Sequence, residues 1–276
     1  MRFFILTAVH FLIFLCSCAA IWLIWKQFKK WQFKNQPFPT EWNEILNTNL
    51  PIYSKLPQPL RQQLDHKVKY FIRDKTFYGC DGLVVTDEIR VTIAGQACLL
   101  LLNRPTNHYY KLHHILVYPS SFVASRSEQN ESGVVSHKRT GMLGESWSQG
   151  KVILSWDDVI KGANNFSDGQ NVVLHEFAHQ LDQESGSTNG APLLGTQSSY
   201  QSWAKVLSKE FETLQRQTNS GYGSLIDQYG ATNPAEFFAV VTETFFERPV
   251  QLRHRHPELF EEMKLFYAVD PTEWVD

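Results

Sequence analysis

Two histidines four positions apart inside an apolar run, His175-Glu176-Phe177-Ala178-His179, constrain this chain more than any other feature. Val172, Val173, Leu174, Phe177, Ala178 and Leu181 make the segment a buried helix, with Asp168 the expected N-cap. On a helix, positions i and i+4 share a face about 6 Å apart along the axis, so two imidazoles can meet one tetrahedral ion while Glu176 leans toward its open position. Zinc held in this way lowers the pKa of bound water to about 7, and a neighbouring carboxylate can take the proton as the oxygen attacks a carbonyl carbon. A five-residue pattern also arises by chance on solvated or salt-bridged helices. Its apolar setting favours the metal, because unpartnered imidazoles and a carboxylate are costly to bury.

A site of this kind needs a third protein ligand and leaves the fourth position to water. The candidate is Glu236 in Asn233-Pro234-Ala235-Glu236, which opens a second helix through Phe237, Val240, Val241 and Thr244. The same residues also spell an N-cap, a first-turn proline and a capping glutamate, which would turn Glu236 toward backbone. Against that, Glu236 and Glu243 lie two turns apart on one face of an apolar helix, where an acid pair needs cationic or imidazole partners. Glu236 is then the ligand, and Glu243 supports a ligand histidine. Tyr229, in the turn before this helix, offers a phenol to the oxyanion of a tetrahedral intermediate; a packed loop aromatic is the alternative. Asp182 either orients the His179 ring or is a solvated acid at the helix end. The pairs His113-His114 and His254-Arg255-His256 offer no competing ligand set.

The rest of the chain sets the context. With 276 residues, 43% hydrophobic and 20% charged, it can bury one substantial core, and a net charge of -2 argues against direct binding of nucleic acid. From Phe3 to Trp25 there is no formally charged residue unless His10 is protonated, a run long enough to cross a hydrocarbon core of about 30 Å. Lys26, Lys29, Lys30 and Lys34 follow it and only Arg2 precedes it, so the expectation is a single-pass anchor at residues 1–25 in the inner membrane, with the catalytic domain facing the cytoplasm. A cleaved signal peptide is disfavoured by the continuation of the apolar run through Trp25, and a lipoprotein site at Cys16 or Cys18 by the apolar stretch after it. Cys80 and Cys98 stand alone and are expected to be reduced.

Residues 26–57, with Pro37, Pro39, Pro51 and Pro57 and a short helix near Glu41–Leu46, read as a juxtamembrane connector, leaving 58–276 as the peptidase domain. An amphipathic helix is expected over Leu60–Lys75, short strands at Gly82–Thr86 and Val91–Ile93, and a buried helix or strand at Ala97–Leu102. Further strands are expected at Ile115–Tyr118 and Lys151–Trp156, with a polar loop over Ser125–Gly144 between them and helices from about Tyr200. The fold class is α+β with a small sheet.

Three segments in order, Gly144-Glu145-Ser146-Trp147-Ser148-Gln149-Gly150, then His175-Glu176-x-x-His179-Gln180-Leu181-Asp182, then Asp227-x-Tyr229-x-Ala231-Thr232-x-Pro234-Ala235-Glu236-Phe237-Phe238-Ala239-Val240, resemble the Mlc titration factor A family of bacterial zinc metallopeptidases. The resemblance spans most of residues 40 to 275. It implies one zinc per chain on His175, His179 and Glu236, Glu176 as general base, and Tyr229 acting on the transition state. It further implies a zincin-like core akin to that of anthrax lethal factor, and aminopeptidase-like activity on peptide or protein substrates. The best-known member is cytosolic and binds the repressor Mlc, so a transcriptional regulator is an implied partner; the N-terminal apolar run departs from that pattern. By analogy with zincins, the strand at Lys151–Trp156 would pair with an extended peptide. The competing reading is a membrane-tethered module that sequesters a regulator, with a structural or vestigial zinc site. A metallohydrolase of esters or amides differs only in its substrate.

Overall fold

Helix α1 runs unbroken over Arg2–Asn35, past the expected change from anchor to connector at Trp25. This computed structural model describes residues 2–104, 109–120 and 150–274, and the side chains of residues 2–9, 11–15 and 30 are also outside the description. Among the described residues no helix is long and apolar enough to cross a membrane, although most of the expected span falls on undescribed side chains. The polar loop expected over Ser125–Gly144 and the Gly144–Gln149 part of the first motif segment also lie outside the described residues.

Two compact units divide the chain, Met1–Pro39 and Thr40–Asp276. The second begins within the expected connector. Helices α2 (Thr40–Asn49) and α3 (Pro51–Lys55) bury Leu46, Leu50, Ile52 and Tyr53 completely or nearly so. Asn49 Nδ2 donates to Thr92 Oγ1 at 3.0 Å, so residues 40–57 are part of the core rather than a bare tether. Prolines there start helices instead of breaking them, since the first helical position has no N–H obligation to lose. Helix α4 (Gln58–Asp74) buries Leu64, Val68 and Phe71, as its helical spacing predicts.

The sheet is small and wholly parallel: β1 (Thr76–Gly79), β2 (His114–Tyr118) and β3 (Lys151–Ser155), in that order. Ile115 stands opposite Phe77 on one side and Val152 on the other. Parallel neighbours require long crossovers, and between β1 and β2 that crossover is helix α5 (Asp87–Leu99). Val91–Ile93, expected as a strand, lies inside α5, and Gly82–Thr86 is not a strand either. The β-branched run misleads because α5 is buried all round, with Val91, Thr92 and Ile93 fully enclosed, so no polar face betrays the 3.6-residue period. The Thr86 hydroxyl accepts from the Ile89 N–H, and Asp87 and Glu88 occupy the first turn, which fixes the start of the helix.

Ser155 caps α6 (Trp156–Asn164), which leads to α7 (Val172–Gln183), the helix of the histidine pair. The cap of α7 is Asn171 rather than Asp168: Asn171 Oδ1 accepts from the Val173 and Leu174 N–H groups at 3.1 and 3.0 Å. Helix α8 (Gln197–Asn219) and a 3-10 turn at Gln228–Ala231 precede α9 (Pro234–Glu247), in which every residue after Pro234 is buried. Helices α10 (Pro249–Arg255) and α11 (Pro257–Tyr267) close the unit with an aromatic cluster of Phe245, Phe246, Phe260 and Tyr267. The result is a helix-rich α+β fold in which α7 and α9 face each other.

Candidate metal centre

Helix α7 presents His175 and His179 on one face, with ring centroids 4.9 Å apart and Nε2 atoms 3.2 Å apart. Helix α9 brings Glu236 to the same point: its Oε2 lies 3.0 Å from His175 Nε2 and 3.4 Å from His179 Nε2. Asn233 Oδ1 caps this helix by accepting from the Ala235 and Glu236 N–H groups, at 2.9 and 3.0 Å. The cap is therefore the asparagine, and the Glu236 carboxylate is directed at the rings.

The donor set fits a divalent ion. His175 Nδ1 lies 2.8 Å from Glu243 Oε1, and a ring that donates there turns a bare Nε2 lone pair toward the Glu236 carboxylate. Acceptor then faces acceptor at 3.0 Å, an arrangement stable only with a proton or a cation between them. Ligands at 2.0–2.1 Å on a tetrahedral zinc sit about 3.3 Å apart, and the triangle of 3.0, 3.2 and 3.4 Å matches that spacing. No other group of three His, Cys, Asp or Glu side chains among the described residues converges in this way.

The electrostatics tell the same story. Burial opposes protonation of His175, but the Glu236 and Glu243 carboxylates override it and push the ring up to about 10. Burial pulls His179 down to about 4, with the His175 charge adding to the effect. Burial also works against the Glu236 carboxylate, yet the two rings hold it down at about 2. Glu243 is raised by its burial, and its other oxygen accepts the N–H of Asn171, so one carboxylate ties the cap of α7 to the ring of His175.

Glu176 is 2% exposed on the same helix, and the Tyr229 ring lies 6.0 Å from that of His175. The 3-10 turn holds Tyr229 by its backbone, with its N–H on Asp227 Oδ1 at 2.8 Å and its carbonyl on the Thr232 hydroxyl at 2.7 Å. His175, Glu176, His179, Glu236 and Tyr229 thus lie on α7, α9 or the turn before α9. Asp182 is fully buried, and its Oδ2 accepts the Gly190 N–H at 2.7 Å. Burial pushes its carboxyl up to about 6. His256 meets Glu210 at 2.8 Å and takes no part in the centre.

Sequence reasoning passed over Glu247, one turn beyond Glu243. Its Oε2 accepts the Gly169 and Gln170 N–H groups at 2.8 and 3.1 Å and so pins the approach to α7. The four-residue spacing from a supporting glutamate was the available signal.

Two histidines one turn apart, a carboxylate from a second helix and a buried glutamate beside the histidines on their own helix make up the centre of a metal-dependent hydrolase. The chain belongs to the glucose-regulated metallo-peptidase M90 family, whose profile matches residues 24–268. It is 41% identical over 268 residues to an uncharacterized protein of Synechocystis sp., covering 96% of this chain and 98% of that one. It is also 31% identical over 249 residues to the Mlc titration factor A proteins of Yersinia pestis and Yersinia pseudotuberculosis, covering 88% of this chain and 90% of each relative.

Proposed function

We propose that this metallopeptidase is a zinc enzyme that hydrolyses peptide bonds, with aminopeptidase-like action. The observation that carries this reading is the triangle of His175, His179 and Glu236 donor atoms at zinc-ligand spacing. Bound zinc supplies Lewis acidity toward the scissile carbonyl and toward water. His175, His179 and Glu236 would hold it, and Glu243 keeps the His175 ring in the tautomer that presents Nε2. Glu176 accepts the proton of the attacking water at its carboxylate and passes it to the leaving amine. The Tyr229 phenol donates to the oxyanion of the tetrahedral intermediate. An extended peptide pairs with β3, which is an edge strand among the described residues.

The same reading places the catalytic unit at the cytoplasmic face of the inner membrane, anchored by α1. Its support is the uncharged Phe3–Trp25 run followed by an aromatic and basic stretch. There Lys26 and Lys29 lie 5.1 and 5.7 Å from the rings of Trp22 and Trp25. The name of the Yersinia relatives, Mlc titration factor A, favours a second role, binding a transcriptional regulator such as Mlc.

The deciding measurement is Glu176→Gln in the full chain. Zinc content by metal analysis should stay at one per chain, while cleavage of aminoacyl amides and quenched peptides falls about 10²–10⁴-fold. Undiminished cleavage would remove Glu176 from this role. Full zinc occupancy in a wild-type protein that cleaves no peptide would leave the regulator-binding reading.

A further inference from the structure

In the segment between α7 and α8, three helices meet at Gly190. Its N–H donates to Asp182 Oδ2 on α7 at 2.7 Å, one turn beyond His179. Its carbonyl accepts from Trp203 Nε1 on α8 at 2.8 Å. Trp203 in turn packs against Phe238 of α9, with ring centroids 5.7 Å apart. Both anchoring side chains are buried, Asp182 completely and Trp203 to 2% exposure. The third neighbour is α9 itself: a Cβ on Gly190 would meet the Pro234 carbonyl oxygen at 2.4 Å and its carbon at 2.8 Å. Pro234 opens the first turn of α9, two residues before Glu236.

We infer that Gly190 is a positioning residue for the metal centre, setting the distance between the histidine helix and the Glu236 carboxylate through its contact with Pro234. This rests on the zinc reading above. Gly190 has φ +77°, and its backbone is held from two sides, so it cannot retreat from Pro234 without giving up the Asp182 or Trp203 hydrogen bond. Any side chain there must push the start of α9 outward. Opening the contact from 2.4 Å to the 3.0 Å that Cβ atoms respect takes about 0.6 Å, several times the roughly 0.2 Å that metal–ligand distances tolerate. The histidine pair sits on one side of the contact and the third ligand on the other, so the displacement falls on the triangle itself.

The strap supplies its own control. Gly195 has φ +86°, close to that of Gly190, but a Cβ there meets nothing within 4 Å. Gly195→Ala therefore carries the same kind of backbone strain without the collision. In the full-length protein, zinc affinity is measured by chelator competition and site geometry by the visible spectrum of the cobalt-substituted form. Gly190→Ala should bind zinc at least tenfold more weakly than wild type and shift the cobalt bands, with Gly195→Ala wild-type in both. Asp182→Ala, which removes the anchor without adding bulk, should weaken zinc in the same direction, and Asp182→Asn, which keeps an acceptor for the Gly190 N–H, should restore it.

Equal zinc affinity and cobalt spectra in Gly190→Ala and Gly195→Ala would overturn the inference, whether both variants are normal or both impaired. Should Gly190→Ala fail to fold, wild-type zinc affinity in Asp182→Ala would overturn it instead. A wild-type chain that binds no zinc would defeat the underlying reading as well, and is distinguishable because it precedes any variant.

Discussion

Two buried polar clusters lie next to each other in this molecule, and they are built on opposite rules. Around α5, Asn49 donates to Thr92, Gln96 Nε2 donates to the Thr92 and Val159 carbonyls at 3.3 and 3.4 Å, and Asn171 Nδ2 donates to Gln96 Oε1 at 2.9 Å. Apart from the Glu88 carboxylate, which accepts from Asn49 Nδ2 at 3.2 Å at its edge, the groups there are neutral, and donors meet acceptors. Between α7 and α9, two imidazoles and two carboxylates converge so that acceptor faces acceptor until a positive charge is supplied. Asn171 belongs to both, serving Gln96 with its side chain and Glu243 with its backbone N–H. A closed neutral network holds a fold together, whereas an open ionic one stores a demand that a ligand can meet.

The largest effect that separates the two is metal retention. His179→Ala removes one of three protein donors and should abolish stoichiometric zinc binding. Gln96→Leu removes the Gln96 acceptor of Asn171 Nδ2 and should lower unfolding stability by about 1–3 kcal/mol while zinc stays bound. Metal analysis paired with urea melts reads both quantities. Release of zinc by Gln96→Leu would break the division, because it would show the neutral cluster to be part of the metal site.

A second test sharpens the edge of the ionic cluster. Tyr229 sits beside it, its ring 6.0 Å from that of His175. Tyr229→Phe should leave zinc affinity unchanged and lower kcat by about 10²–10³, the loss expected for one oxyanion donor. An unaltered kcat would reduce Tyr229 to a packing residue of the turn.

The sequence disclosed these two clusters unequally, for a physical reason. His175, Glu176 and His179 are readable because a five-residue span of one helix fixes their relative positions. Glu236 is 57 residues beyond His179, and only an acid on an apolar helix gave it away. The α5 cluster left no such mark: Thr92 and Gln96 are ordinary residues in a helix buried all round, and Val91–Ile93 mimics a strand. Asp168 was a plausible cap by residue type, but Asn171, three residues on, has the reach to Val173 and Leu174. Gly190 was invisible because its importance lies in contacts with Asp182, Trp203 and Pro234.

The smallest effect concerns the group that stands between the two designs. Glu247 is a carboxyl in the neutral style, accepting the Gly169 and Gln170 N–H groups, yet it lies one turn from Glu243. Burial is the main force on it and lifts its pKa to about 8, with Asp168 and Glu243 adding repulsion. In the unfolded chain it titrates near 4.5. Below that pH both states hold the proton, and the stability linked to Glu247 is fully present. Between 4.5 and 8 only the unfolded chain ionises, so this stability is lost progressively as pH rises, and above 8 the loss is complete. Glu247→Gln keeps an acceptor for the Gly169 N–H and removes the titration. Urea melts of the zinc-free protein should therefore show a flatter decline over this window in the variant, by about 1–2 kcal/mol. Matching slopes in the two proteins would mean that the Glu247 carboxyl ionises in the folded state as readily as in water, and that the ionic cluster extends one turn further along α9 than its hydrogen bonds imply.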